Sequence, residues 1–235
     1  MVFVPGFMQP GGAWAAVAEG LPERYPSALL DHAEHTFEGR LAEIARAGEG
    51  GVLCGYSMGG RLALHAAVRD PGRYAGLVTV GASAGIDAPA TREARAEADS
   101  RLASWMETQP IEQIVEVWER QPLFADQSEQ LLDAQRPGRL RQDPRGLAML
   151  LRTAGQGTLD PMWQALHALD IPVLALAGEL DERYREMAGR IARAVPRGRV
   201  ETVESAGHAP QLQRPEAVAG LLADFLDQHL GQRLV

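Results

Sequence analysis

Two hydrophobic rhythms alternate along the chain. Short runs rich in apolar residues stand at 1–4, 27–30, 51–54, 77–80, 173–177 and 200–203, each closed by turn formers. Runs of that length predict strands, and the mostly apolar ones predict burial on both faces. Between them, residues 14–20, 38–47, 61–69, 182–195 and a last segment through Leu226 read as helices. Apolar positions there recur three and four apart, as in Leu41, Ile44 and Ala45, or Val218, Leu221, Leu222, Phe225 and Leu226. Strands alternating with helices predict an α/β fold, a mostly parallel sheet flanked by helices, with ligands at the carboxyl ends of the strands. From about residue 90 to 159 the strand pattern stops. Ile111, Ile114, Val115 and Trp118 fall at i, i+3, i+4 and i+7, and helix follows helix. The break predicts a core domain of residues 1–85 and 166–235, with a helical cap inserted at 86–165.

The junction of the third strand and its helix reads Gly55-Tyr56-Ser57-Met58-Gly59. G-x-S-x-G in a strand–turn–helix context is a nucleophile elbow, whose glycines leave room for a turn that lifts the serine above the sheet edge. A capping serine at an ordinary junction has the same five letters, so the partners of Ser57 decide. A reactive serine needs an imidazole in hydrogen-bond reach and a carboxylate to fix the imidazole tautomer. Asp181 follows the strand at 173–177, and His208 follows the strand at 200–203. Taken singly, Asp181 reads equally as a helix cap and His208 as a loop histidine. Together, in the order Ser, Asp, His, they predict the catalytic set Ser57, Asp181 and His208 of an α/β-hydrolase fold. The backbone N–H groups of Phe7 and Met58 are the expected oxyanion hole.

Composition narrows the function further. The chain has 235 residues, 46% hydrophobic and 23% charged, with a net charge of −8. That balance argues against general affinity for nucleic acid or an acidic membrane surface. No apolar run approaches the ~18 residues of a membrane span. Met1 leads directly into Val2-Phe3-Val4 without a basic stretch, which predicts a cytoplasmic protein rather than a secreted one. Cys54 is the single cysteine, and in a strand it reads as a small buried hydrophobe. Histidines 32, 35, 65, 167 and 229 form no metal-ligand pattern.

Beyond the triad, one family shares a longer set of motifs. These are Gly55 through Arg61, Arg95, the stretch Trp118-Glu119-Arg120-Gln121-Pro122-Leu123-Phe124-Ala125, Ala134-Gln135-Arg136, Gly155-Gln156-Gly157 before Trp163, Gly178-Glu179-Leu180-Asp181 and Ala206-Gly207-His208-Ala209. With them the chain, from residue 1 to about 228, resembles the 2-succinyl-6-hydroxy-2,4-cyclohexadiene-1-carboxylate synthases of menaquinone biosynthesis. The resemblance implies a lyase in which the triad removes a proton beside a succinyl carbonyl and pyruvate is eliminated, without metal or organic cofactor. It implies that Arg61, Arg95 and Arg136, with Tyr56 and Trp118, bind the carboxylates of a small polycarboxylate substrate. Guanidinium forks suit that task even in an acidic protein. The runner-up is a serine hydrolase acting on a small ester or ketone through an acyl-serine. Either reading is compatible with a monomer or a small homo-oligomer.

Three features depart from the family pattern. Pro5-Gly6 stands where His-Gly is usual, and Asp31-His32-Ala33-Glu34-His35 replaces a Pro-Gly-His turn. The sequence also opens on the strand that feeds the oxyanion loop, which implies a sheet without the usual one or two preceding edge strands, by trimming or by a truncated start.

Overall fold

The computed structural model describes residues 1–230. Six strands form one sheet, parallel throughout, in the order β2-β1-β3-β4-β5-β6. They are β1 (Val2–Val4), β2 (Ala28–Leu29), β3 (Val52–Tyr56), β4 (Gly76–Val80), β5 (Val173–Gly178) and β6 (Gly198–Val203). The core strands β1, β3, β4 and β5 are buried along their whole length, as their apolar runs require. Alternate residues face opposite layers. Leu53, Leu77 and Val173 join one apolar cluster, while Val52, Cys54, Val78 and Leu174 join the other. Burial of the Cys54 thiol among apolar neighbours drives its pKa far above the ordinary thiol range.

Helices α2 (Phe37–Ala47), α3 (Met58–Arg69) and α8 (Glu182–Ala194) cover the first face. The other is covered by α1 (Ala15–Glu19) and, after the short α9 (Pro210–Gln213), by α10 (Pro215–Leu230), where Val218, Leu222, Phe225 and Leu226 dock on the sheet as their spacing predicts. Four helices lie between β4 and β5: α4 (Pro89–Met106), α5 (Ile111–Glu119), α6 (Glu129–Leu140) and α7 (Pro144–Ala154). Asp143 caps α7 by accepting from Gly146 N–H, and Thr153 near its end accepts from Phe37 N–H at 3.1 Å, fastening α7 to α2. Among the described residues no helix is long and apolar enough to cross a membrane, and no cluster of three or more His, Cys, Asp or Glu is arranged to hold a metal ion.

Several boundaries differ from the sequence reading. The helix after the elbow starts at Met58 rather than 61, because the turn occupies a single residue. The segment at 14–20 divides into a 3-10 turn, Gly11–Trp14, and the five-residue α1.

Candidate active site

Ser57 bridges β3 and α3 at φ 50° and ψ −113°, a left-handed conformation that costs an L-residue on the order of 1–3 kcal/mol. The surroundings enforce it. Ser57 N–H donates to the Val80 carbonyl at 2.8 Å, and the Ser57 carbonyl accepts from Arg61 N–H at 3.0 Å. A Cβ on Gly55 would lie 2.4 Å from the Gly59 carbonyl oxygen, and one on Gly59 would lie 2.4 Å from the carbonyl oxygens of Val4 and Pro5. Both positions therefore need glycine for the turn to close.

His208 comes off the end of β6 and presents Nε2 to Ser57 Oγ at 3.2 Å, while Nδ1 meets Asp181 Oδ2 at 2.7 Å. A carboxylate only accepts, so the proton sits on Nδ1, and Nε2 is left to accept from the serine hydroxyl. Asp181 Oδ1 accepts from Tyr184 N–H at 3.2 Å. The carboxylate thus caps α8 with one oxygen and orients the imidazole with the other, so both sequence readings of Asp181 hold. The His208 side chain is 1% exposed, with the rings of Tyr184 and Tyr56 at 4.4 and 5.3 Å from its own. Its loop is held by side chains: Glu179 Oε2 accepts from Ser205 N–H at 2.8 Å, and Gln213 Oε1 from Gly207 N–H at 2.8 Å. Gln213 Nε2 donates in turn to the Asp126 carbonyl at 3.1 Å, which joins the loop to the segment before α6.

Met58 is the first residue of α3, so its N–H has no acceptor within the helix and lies at the positive end of the dipole. Phe7 belongs to the loop after β1, where Gln9 Oε1 accepts from Gly6 N–H at 3.3 Å and Met8 takes φ 60°. Phe7 N–H donates to no protein group among the described residues. With Pro5 in place of the family's histidine, Gln9 supplies the side-chain hydrogen bond that shapes this loop.

Ser57, Met58, His208 and Phe7 open into a cavity of about 300 Å³, walled on the far side by Trp118, Phe124 and residues of α4, α6 and α7. The Phe7 ring packs edge-on against Trp118 at 5.1 Å, and Trp118 meets Phe124 at 5.6 Å. Tyr56 also lines the cavity, its phenol pushed above the ordinary range by burial. Arg61, on the first turn of α3, is buried. Its Nη2 donates to the Ala154 carbonyl at 2.8 Å, and its Nε has no partner among the described residues. Desolvation pushes its pKa down to about 10, which leaves it charged at neutral pH. Arg95 also faces the cavity. Its Nε donates to Asp99 Oδ1 at 2.8 Å and its Nη1 to Gln156 Oε1 at 3.2 Å.

Arg136 requires a correction. It does not line this cavity; it faces a groove between α5 and α6, with Nε and Nη2 donating to Glu119 Oε2 at 3.0 and 2.5 Å. The cavity arginine on α6 is Arg139, one turn further on. Its side chain is 2% exposed, and Nη1 donates to Glu119 Oε1 at 2.8 Å. The two oxygens of buried Glu119 divide the arginines, one outward and one inward.

A sequence model of the alpha/beta hydrolase family matches residues 1–221. The chain belongs to that family. An Enterobacter protein named 2-succinyl-6-hydroxy-2,4-cyclohexadiene-1-carboxylate synthase is 32% identical over 243 residues, 96% of this chain and 91% of that protein. A Bacillus subtilis protein, provisionally given the same synthase name, is 34% identical over 177 residues, 74% of this chain and 65% of that protein. Among solved structures, MenH from S. aureus superposes with a TM-score of 0.90 at 26% identity, covering 97% of this chain and 93% of that one. The likeness to these synthases read from the elbow, the inserted helices and the His208 loop is borne out.

Ser57, Asp181 and His208 thus follow the ends of β3, β5 and β6, and two hydrogen bonds join them. Four residues around them were given no role in the sequence reading. Arg139 lies three residues beyond Arg136 on the same helix, and that proximity was its only signal. Gln156 sits between two glycines and links Arg95 to Ser83 Oγ, to which it donates at 2.7 Å. Tyr184 lies three residues after Asp181, in the first helical turn that Asp181 caps. Gln213 gave no signal beyond its nearness to His208.

Proposed function

We propose that this protein is a 2-succinyl-6-hydroxy-2,4-cyclohexadiene-1-carboxylate synthase, a lyase that eliminates pyruvate from a succinyl-enolpyruvyl-hydroxycyclohexene carboxylate. The observation that carries this reading is Arg61. A buried guanidinium without a carboxylate partner among the described residues, one turn behind Ser57, suits an anionic substrate and opposes a neutral ester. The named relatives support it independently.

In this reading His208 Nε2 takes the Ser57 hydroxyl proton, and Ser57 Oγ removes the proton beside the succinyl carbonyl. Asp181 stabilises the imidazolium that results. The electron pair released from carbon moves onto the carbonyl oxygen, which accepts from the N–H groups of Phe7 and Met58 in this reading. Its return forms the ring diene and breaks the bond to the enolpyruvyl oxygen. The enolate that departs takes up a proton and becomes pyruvate. No acyl-serine forms. Arg61, Arg95 and Arg139 hold substrate carboxylates, and the segment 86–165 acts as the cap over a core of 1–85 and 166–235.

The test compares two substrates. The purified protein should release pyruvate rapidly from the chorismate-derived succinyl-enolpyruvyl precursor, and should cleave a short-chain nitrophenyl ester poorly. Ester turnover that needs Ser57, with no pyruvate, would replace the synthase reading by an acyl-serine hydrolase.

A further inference from the structure

Arg183 is the second residue of α8, two positions beyond Asp181. It lines the Ser57 cavity and, with Gln156 and Tyr184, also lines an adjoining cavity of about 300 Å³ that extends to Asp87 and Arg190. The other arginines of these two cavities each have a protein partner. Asp99 holds Arg95, Glu119 holds Arg139, and Asp87 holds Arg190 at 2.6 Å with its guanidinium over the Trp163 ring. Arg61 lacks a carboxylate but is fixed by the Ala154 carbonyl. Arg183 has neither an ion pair nor a hydrogen bond among the described residues, and its guanidinium lies over the Tyr184 ring, 5.8 Å from the centroid.

Two positive charges in the Ser57 cavity are therefore uncompensated, Arg61 deep beside the nucleophile and Arg183 at the outer wall. A substrate carrying more than one carboxylate satisfies both at once. We propose that Arg183 is a further substrate-binding residue, which takes one carboxylate of the polycarboxylate at the wall shared by the two cavities. The assignment rests on the synthase reading above. The Tyr184 ring attracts the guanidinium at that distance, and its planar fork suits a bidentate contact with a carboxylate. Rooted in α8 beside Asp181, it does not depend on the position of the inserted helices. An exposed side chain also gives up little hydration on binding, so its contribution is sensitive to salt.

Arg183→Met, Arg183→Lys and the wild type should be compared for pyruvate release and for melting temperature. The account expects KM to rise about tenfold in Arg183→Met, the loss of one charge-assisted contact. Turnover should stay within about twofold, as for binding shared by ground and transition states. Arg183→Lys should recover part of the loss, and high salt should narrow the gap. Unchanged KM, or a fall in kcat that Lys does not rescue, would overturn the assignment. If the wild type releases no pyruvate, the synthase reading fails, and calorimetric titration with tricarballylate still decides Arg183. Weaker binding to Arg183→Met than to the wild type supports it. Equal affinity, or no binding to either protein at low salt, overturns it.

Discussion

The two walls of the Ser57 cavity are held in place by different physics. On the sheet side, Ser57, Asp181 and His208 stand at strand ends, positioned by backbone that cannot go elsewhere: the elbow closes only around Gly55 and Gly59, and the capped first turn of α8 carries Asp181. On the helical side, Arg95 and Arg139 depend on single carboxylates, Asp99 and Glu119. Strand-end geometry tolerates sequence change around it, because it is set by the sheet. A guanidinium held by one ion pair moves with either partner. In the proposed reading the chemistry falls to the rigid wall, and the adjustable wall adds Arg95 and Arg139 to the anion contacts of Arg61 and Arg183.

Breaking the rigid wall should cost most. Ser57→Ala should lower kcat for pyruvate release by about 10⁴-fold or more, as for loss of a triad member elsewhere. The melting temperature should hold or rise, since alanine removes no packing. On the helical wall the effect should be smaller and appear in KM. Arg139→Met should raise KM about tenfold, while Glu119 keeps its contact with Arg136 and the fold persists. Arg136→Met, outside the cavity, should leave KM within about twofold, because Arg139 keeps its contact with Glu119 Oε1. Steady-state kinetics on the three variants would sharpen or remove the contrast.

A smaller effect concerns stability. His65, on α3, is partly buried edge-on against Phe37, and desolvation first, then Arg61 and Arg69, push its pKa from 6.5 to about 4. As pH falls below 6.5 the unfolded chain gains a proton that the folded chain refuses, so stability drops and the loss is complete by about 4. The contribution at pH 5.5 is about 1 kcal/mol. Denaturant melts of the wild type and His65→Phe at pH 7.5 and 5.5 should differ by that amount. Parallel pH dependence in the two proteins would show that His65 does not carry it.

The strand runs and the elbow were legible because each is a local pattern, and the Ser–Asp–His order because each of the three follows a strand. The cap arginines were legible only to within a turn of helix. Pro137 lies between Arg136 and Arg139 and on sequence argues for a break, yet α6 runs through it, so the phase that turns Arg139 inward was hidden. The loop after β2 was equally opaque. Without the Pro-Gly-His turn it is shaped by side chains distant in sequence. Glu43 Oε1 accepts from Ala33 and Glu34 N–H at 2.9 and 3.0 Å, and Asp31 Oδ1 accepts from Gly11 N–H at 2.6 Å, tying the end of β2 to the loop after β1. Pairings across that separation leave no periodic trace.

The most direct test of the division between the two walls is the split of kcat from KM for pyruvate release, measured side by side in Ser57→Ala and Arg139→Met. The account predicts that the first variant loses turnover and the second loses affinity. Loss of turnover in Arg139→Met with unchanged KM, or Ser57-independent release of pyruvate, would contradict it.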